Sequence, residues 1–223
     1  MIWRDLSVPG VMVVRSDPDI ERGANDVQLR LTYQGVLLGS NSNSTRVNHK
    51  HELRKCFHRQ LKRFWEVHPS ISKVTLEDAK NPSTHYMIIP CLSTRYERNG
   101  YNFVPLVSGF FGLDCSVHIL ILRQDAPGGL IKSSDLDNRL KTIFDAMRMP
   151  KDGSELGKYI VPGDDEKPFY CLLEDDSLVT QVTLETDTLL ETVSDPPDGN
   201  DVRLIVRVEL KPYVLGPTTA VFA

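Results

Sequence analysis

The sequence of 223 residues lacks several features that would assign it to a familiar class. It has no CxxC pair, and its four cysteines are widely scattered, so neither a zinc ribbon nor a thiol redox motif is indicated. No stretch approaches the ~20 consecutive apolar residues that span a membrane. No secretory signal is recognisable at the N-terminus, so we expect a soluble, cytoplasmic protein with reduced thiols and no membrane contact.

Nucleotide-binding motifs and internal repeats are also missing. The sequence contains neither GxxxxGK[ST] nor GxGxxG, so we expect no nucleotide triphosphate as a partner. The composition, 40% hydrophobic and 25% charged, is typical of a globular protein. A chain of this length buries roughly 70% of its unfolded surface, so it folds without a disulfide or a structural metal. We therefore expect residues 1–223 to form a single domain.

The chain does contain one concentration of positive charge. Its net charge is −4, but residues 46–63 hold seven basic residues against one acid, Glu52. A strongly basic element on an acidic body indicates either a solvated helix face that pairs with that body or a surface for phosphates. The candidates for phosphate contacts, including one lysine from a later loop, are Lys50, Arg54, Lys55, Arg59, Lys62, Arg63 and Lys132.

The apolar periodicity predicts an α+β fold. Two-residue alternation predicts strands, and three- and four-residue steps predict helices. Strands are predicted over 27–38, 113–124, 178–184 and 202–208, and helices over 46–68 and from 135 onward. We expect a small mixed β-sheet with two main helices in the order β-α-β-α-β-β, with the last two strands forming an antiparallel hairpin. Two segments rich in proline and glycine, 69–110 and 149–172, are interpreted as insertions, the second of them exposed.

The stretch 133–147, SSDLDNRLKTIFDAM, places two carboxylates at the start of a strongly helical pattern. Ordinary helix chemistry explains them. Ser134 with Asp137 matches a capping box, and Asp135 lies where the helix dipole favours negative charge. Taken alone, the stretch is an ordinary helix start.

About thirty residues later, LLEDDSLV interrupts an apolar run with Asp175 and Asp176, which could simply begin a strand after a turn. The two acidic pairs together favour a second interpretation. If that strand lies beside residues 113–124, its carboxylates reach the mouth of the helix. Clustered carboxylates repel one another unless a cation neutralises them, and hard oxygen ligands suit Mg²⁺ or Mn²⁺.

The same two fragments resemble the RusA-type Holliday-junction resolvases, whose motif runs D-x-D-N-x-x-K-x-x-x-D and then D-D-x-x-V. The sequence DLDNRLKTIFDAM followed by EDDSLVTQV carries this pattern. The matching positions are Asp135, Asp137, Asn138, Lys141, Asp145, Asp175, Asp176 and Val179.

This resemblance implies a RusA-like fold and a Mg²⁺-dependent, homodimeric endonuclease that acts on branched DNA. The family's three essential carboxylates fall on Asp135, Asp137 and Asp176, with Asp175 as an accessory acid and Lys141 as the family lysine. Two other functions stay open. One is a RusA-like protein that binds branched or duplex DNA without cutting it, and the other is a metal-dependent D-x-D transferase acting on a nucleotide-sugar.

Overall fold

The structure, a computed structural model, describes residues 27–39, 44–68, 71, 75–78, 81–124, 135–195, 198–214, 219 and 222. For Ser44, 75–78, 81–86 and Asp135 the description covers the backbone alone. Lys132, a predicted phosphate contact, lies outside the described residues. None of the helices in these ranges is long and apolar enough to cross a membrane.

The described residues form a mixed α+β arrangement of helices and strands. The helices are α1 (Ser44–Val67), α2 (Ile88–Arg95) and α3 (Asp135–Met147). The strands are β1 (Gln28–Val36), β2 (Thr75–Asp78), β3 (Asn81–Met87), β4 (Glu97–Arg98), β5 (Tyr101–Val107), β6 (Leu113–Arg123), β7 (Phe169–Leu173), β8 (Val179–Thr188) and β9 (Asp201–Pro212). Short 3-10 turns occur at Gly153–Leu156, Asp164–Glu166 and Asp176–Leu178.

The four strands predicted from two-residue alternation lie in one sheet, in the order β1-β9-β6-β8. β9 pairs antiparallel with β1 and with β6, whereas β8 pairs parallel with β6. One face of β6 is buried, because every second residue from Leu113 to Arg123 points into the core. The predictions of a mixed sheet and of an α+β fold are confirmed.

The predicted hairpin of the last two strands is wrong. β8 and β9 are not neighbours, because β6 lies between them and pairs with both. The connection between β8 and β9 therefore crosses over a strand, and β8 is left at the edge of the sheet. This arrangement fulfils the condition stated for the acidic pair, since the strand that follows Asp176 does lie beside residues 113–124.

The two segments interpreted as insertions each contribute a buried strand. β5 and β7 pair in parallel, and together with β4 they form a second sheet of three strands. Every residue of β7 is buried, so the interpretation of 149–172 as an exposed insertion is wrong for its last residues. β7 is a continuous apolar run, FYCLL, which has the pattern of a strand covered on both faces rather than of an exposed loop.

Helix α1 packs against both sheets. Its apolar residues at three- and four-residue steps, Leu53, Phe57, Leu61 and Trp65, are all 0–1% exposed. The helix contacts β1 of the first sheet, β7 of the second sheet and α3. Pro69, two residues beyond its last residue, cannot continue the helix.

Candidate active-site cleft

A cleft of about 730 Å³ opens between α1, α3 and the start of β8. From α1 it is lined by Lys50, and from α3 by Lys141, Phe144 and Asp145. The turn before β8 contributes Asp176 and Ser177, and β8 itself contributes Val179 and Val182. The cleft thus brings together residues from both acidic sequence fragments, among them Lys141 and Asp176.

One backbone hydrogen bond and the path of the chain after it hold these fragments side by side. The N–H of Met149, two residues beyond α3, donates to the carbonyl of Leu173 at the end of β7, at 3.0 Å. Three residues beyond Leu173 the chain reaches Asp176, and β8 then runs parallel to β6. The end of α3 is therefore fixed beside the turn that carries Asp176.

Of the charged residues predicted from the sequence to form the site, Lys141 and Asp176 both line the cleft and are accessible to solvent. Lys141 is exposed, and no hydrogen bond or ion pair is recorded for it in the part of the chain that the structure describes. The side chain of Asp176 is 46% exposed, and its Oδ2 lies 3.9 Å from Nε of Arg148. An unengaged lysine and a half-exposed carboxylate in one cleft are suited to bind a charged ligand.

The floor of the cleft is an ion-pair network centred on Asp145. Its carboxylate is 2.7 Å from Arg148 Nη2 and 3.0 Å from Lys50 Nζ. Arg148 also donates to both carboxylate oxygens of Glu155, at 2.9 Å each. These side chains are 5–22% exposed, so the charges are paired within the protein rather than hydrated.

The pKa values of this network follow from the pairing. Burial by itself would raise the pKa of Asp145, but the hydrogen bonds and charges of Lys50 and Arg148 outweigh it and hold that pKa below its ordinary value. Burial would lower the pKa of Arg148, and Glu155 and Asp145 together raise it instead. Asp145 and Arg148 are therefore both charged at neutral pH.

Arg54 is buried, which corrects its predicted role as a phosphate contact. It is 1% exposed, and it donates to the backbone carbonyls of Asp145 at 2.7 Å and Arg148 at 3.3 Å. Its guanidinium thereby joins α1 to the end of α3. A side chain enclosed in this way cannot reach a phosphate in solution.

The other predicted phosphate contacts on α1 differ in how far they are already engaged. Lys50 pairs with Asp145, and Lys55 pairs with Glu166 at 2.7 Å. Lys62 donates to the backbone carbonyl of Asp165 at 3.4 Å. The two most exposed are Arg59 and Arg63, and Arg63 pairs with Glu66 at 3.2 Å in a bridge open to solvent. The exposed end of the basic surface is therefore the second half of α1.

The remaining predicted carboxylates occupy different positions. The side chain of Asp135 lies outside what the structure describes. Asp137 is exposed on α3, one turn before Lys141, and is not among the described residues that line the cleft. Asp175 accepts a hydrogen bond from the Ser177 N–H at 3.0 Å, and its pKa is lowered chiefly by the side chain and backbone of Ser177.

The donor chemistry suits Mg²⁺, but the described side chains do not complete a metal site by themselves. Asp137 and Asp176 offer the hard carboxylate oxygens that Mg²⁺ prefers. Among the described residues, no group of three or more histidine, cysteine, aspartate or glutamate side chains is placed to hold a metal ion. A metal site that uses both fragments would therefore need a ligand beyond the described side chains of Asp137 and Asp176.

Apart from Lys50, the residues that form the cleft floor were not predicted from the sequence as functional residues. Arg148 and Glu155 were not candidates, and Asp145 entered only as a motif position. Helical spacing offered a signal, because Lys141 and Asp145 lie four residues apart on α3, and Arg148, one residue beyond the helix, follows three residues later. No such periodicity connects Glu155, which lies in the following 3-10 turn.

No protein-family model, no curated protein and no solved structure matches this chain.

Proposed function

We propose that this protein is a Mg²⁺-dependent endodeoxyribonuclease that hydrolyses phosphodiester bonds in branched DNA such as Holliday junctions. The observation that carries the proposal is that Lys141 and Asp176, one from each motif fragment, line the same cleft. Lys141 and Asp176 are distant in sequence, and a cleft that both line lets them act on one ligand. The motif resemblance then supplies the reaction, because these positions are those of the RusA-type lysine and third carboxylate.

In this proposal Asp135, Asp137 and Asp176 would hold the metal, with Asp175 as an accessory acid. Mg²⁺ or Mn²⁺, when bound, lowers the pKa of a water molecule and stabilises the leaving oxygen. Lys141 contributes a positive charge from an exposed side chain, which suits contact with a non-bridging phosphate oxygen.

Arg148 is the second cation suited to act on the phosphate group. Its Nε is buried and without a hydrogen-bond partner among the described residues, and it lies on the side facing Asp176. An unsatisfied guanidinium N–H at the base of a cleft favours an anionic oxygen as its partner. Because Asp145 and Glu155 hold the other end of Arg148, the group is fixed in position before any ligand binds.

Substrate DNA would approach along the exposed basic residues of α1. Arg59 and Arg63 are accessible, and neutralising phosphates at such positions releases counterions and makes binding weaken steeply with salt. We also propose a homodimer, because symmetric cleavage of a four-way junction requires two active sites related by a two-fold axis.

A cleavage assay tests the proposal. The protein is incubated in Mg²⁺ with a four-way junction, a flap and a linear duplex, beside Asp135→Asn, Asp176→Asn and the control Asp164→Asn. Asp164 is a fully exposed carboxylate on a separate 3-10 turn, so its loss should leave cleavage unchanged. We expect junction cleavage by the wild type and by Asp164→Asn, and none by the other two. Binding without cleavage, in Mg²⁺ as well as in Mn²⁺, would contradict the proposed nuclease activity.

One observation favours a second function, DNA binding without catalysis. Arg148 already neutralises Asp145 and Glu155 and lies 3.9 Å from Asp176, so these carboxylates have a cation beside them without any metal. In that case the protein would bind the junction without cleaving it, whether or not a chelator is present. If a metal is required, EDTA abolishes cleavage while leaving the salt-dependent binding in place.

A further inference from the structure

β8 is an edge strand whose core-facing side is incomplete. It is the last strand in the order β1-β9-β6-β8, and most of its ten residues are exposed. Val182 lies opposite Val117 of β6, which is 1% exposed, so both side chains lie on the core face of the sheet. Yet Val182 itself is 48% exposed, because no described strand covers its other side.

Unpaired edges of this kind are normally blocked. Native sheets protect edge strands with lysine, proline, bulges or short length, because free N–H and C=O groups pair with other chains. The sequence of β8, VTQVTLETDT, contains neither lysine nor proline, and ten residues is longer than the usual ~5–6. Its one register irregularity falls at the very start, between Cys115 and Ser116 of β6. From Gln181 to Thr188 the register is regular, and no strand among the described residues pairs with this edge.

We propose that β8 pairs antiparallel with β8 of a second copy of this chain, and that the two four-stranded sheets become one sheet of eight strands. Centred on Thr183, the pairing runs from Val179 to Asp187 of each strand. Val182 then lies opposite Leu184 of the second copy, so apolar side chains meet on the core face. Thr180 likewise lies opposite Thr186, and Thr183 opposite itself.

The charges of β8 also favour a second copy in this orientation. Glu185 and Asp187, the acids of the strand, both lie in its second half, and the strand carries no cation. Antiparallel pairing centred on Thr183 places Glu185 opposite Gln181, whose side-chain oxygen already accepts from Ser116 at 3.5 Å. The amide nitrogen of Gln181 is then directed to a carboxylate. Parallel pairing would instead stack like charges, which is unfavourable.

The second copy would complete the cleft. Val179 and Val182 line the cleft from β8, which is the open edge of the sheet. In an antiparallel pair, residues that lie opposite one another share a face, so the neighbouring β8 places its Leu184 and Thr186 beside that wall. Both clefts then lie on the same face of the eight-stranded sheet, on either side of the two-fold axis.

The pairing rests on the open edge and on the sequence of β8, whereas its meaning for DNA cleavage rests on the proposed function. The two can therefore fail separately. The mass of the protein is measured by light scattering after gel filtration, without DNA or Mg²⁺. Thr183 is exposed and lies outside the cleft. In the proposed dimer it lies on the two-fold axis, so Thr183→Arg would place two arginines opposite each other and should prevent the pairing. Gln34→Arg is the matched control, since Gln34 is exposed on the opposite edge strand, β1.

We expect twice the chain mass of 25.2 kDa for the wild type and for Gln34→Arg, and 25.2 kDa for Thr183→Arg with an unchanged circular dichroism spectrum. A monomeric wild type, or a dimer that persists in Thr183→Arg, would overturn the proposal.

Cross-linking tests the register independently. Residues opposite each other in an antiparallel pair have Cβ atoms roughly 5 Å apart, which a disulfide can bridge. Under a mild oxidant, Thr183→Cys should give a disulfide-linked dimer on a non-reducing gel, and Thr186→Cys and the wild type should not. Equal cross-linking of both variants, or none in Thr183→Cys, would contradict a pairing centred on Thr183.

Discussion

Asp145 and Arg148 form a buried ion pair, with Oδ1 of the carboxylate 2.7 Å from Nη2 of the guanidinium. Asp145 lies in the last turn of α3 and Arg148 one residue beyond the helix, and both line the floor of the cleft. Lys50 of α1 holds the other oxygen of Asp145 at 3.0 Å. This pair connects the scaffold to the site, because it fixes the guanidinium whose Nε faces Asp176.

Replacing Asp145 by asparagine should destabilise the fold by about 3 kcal/mol, because it leaves Lys50 buried without its carboxylate and Arg148 with Glu155 alone. Urea unfolding followed by circular dichroism measures the change. Asp137→Asn is the control, since Asp137 is exposed on the same helix and should change the free energy of unfolding by less than ~0.5 kcal/mol. Equal stability of the two variants would show that the network contributes nothing.

The same pair predicts a loss of stability in acid. The pKa of Asp145 is lowered in the folded protein from its ordinary 3.8, so its contribution is present above that pH. The contribution is lost as the pH falls through the lowered, folded-state pKa. Unfolding curves between pH 5 and pH 2 should therefore converge for the wild type and Asp145→Asn. A gap between the two curves that stays constant down to pH 2 would contradict the assignment.

His51 predicts a separate pH dependence at a higher pH. It is 0% exposed, and burial, with Arg54 and Lys55 nearby, lowers its pKa from 6.5 to about 3. As the pH falls through about 6.5, His51 therefore becomes protonated in the unfolded chain but stays neutral in the folded protein. Above about pH 6.5, His51 does not reduce the free energy of unfolding. Between about pH 6.5 and pH 3, its burial as a neutral group lowers that free energy by up to about 1.4 kcal/mol for each pH unit.

The pH dependence of His51 can be measured in two ways. In His51→Phe, which keeps a ring to stack on Tyr159, the slope of the unfolding free energy between pH 6 and pH 4.5 should be smaller than in the wild type. By NMR, the His51 ring should show no titration shift down to pH 4.5. A ring that titrates near pH 6.5 would contradict its burial as a neutral group.

Lys141→Ala should reduce junction cleavage by on the order of 100-fold, the usual effect of removing one fixed electrostatic contact to a reacting group. Because Lys141 is exposed and makes no recorded contact in the described residues, the melting temperature should not change. Lys158→Ala is the matched control, an exposed lysine outside the cleft lining. Cleavage at the wild-type rate by Lys141→Ala would remove this residue from the site.

The basic helix should divide into a binding half and a structural half. Arg59→Gln and Arg63→Gln should weaken DNA binding for every sequence tested, and each should reduce the slope of log K against log salt by about 0.9. Arg54→Met should instead lower the melting temperature, because it removes the hydrogen bonds to the carbonyls of Asp145 and Arg148. An Arg59→Gln variant with an unchanged salt slope would show that this surface does not meet DNA.

The sequence predicted the four strands of the main sheet and both long helices because each buries one face and therefore shows a regular period. The predicted strand over 113–124 and the helix over 46–68 agree with β6 and α1 to within two residues. The order of the strands within the sheet was harder to predict from the sequence. Sequence adjacency favoured a hairpin of β8 and β9, whereas the pairing of each with β6 depends on contacts distant along the chain.

The site was predicted only in part for the same reason. Lys141 and Asp176 were predicted because they belong to a recognisable sequence pattern. The burial of Arg54 was not predicted. Arg54 lies at helical spacing with His51 and His58, which are also buried, so this side of α1 is polar yet enclosed. Periodicity of charge looks the same whether the charged face meets water or meets the end of another helix.

Metal binding shows whether the two acidic fragments act as one site, because both would supply carboxylates to the same ion. Mn²⁺ binding is followed by calorimetry for the wild type, Asp135→Asn, Asp176→Asn and the exposed control Asp164→Asn. The proposal predicts binding by the wild type and the control, and at least tenfold weaker binding by each of the other two. Wild-type affinity in Asp176→Asn would contradict it, since the fragments would then not share a metal.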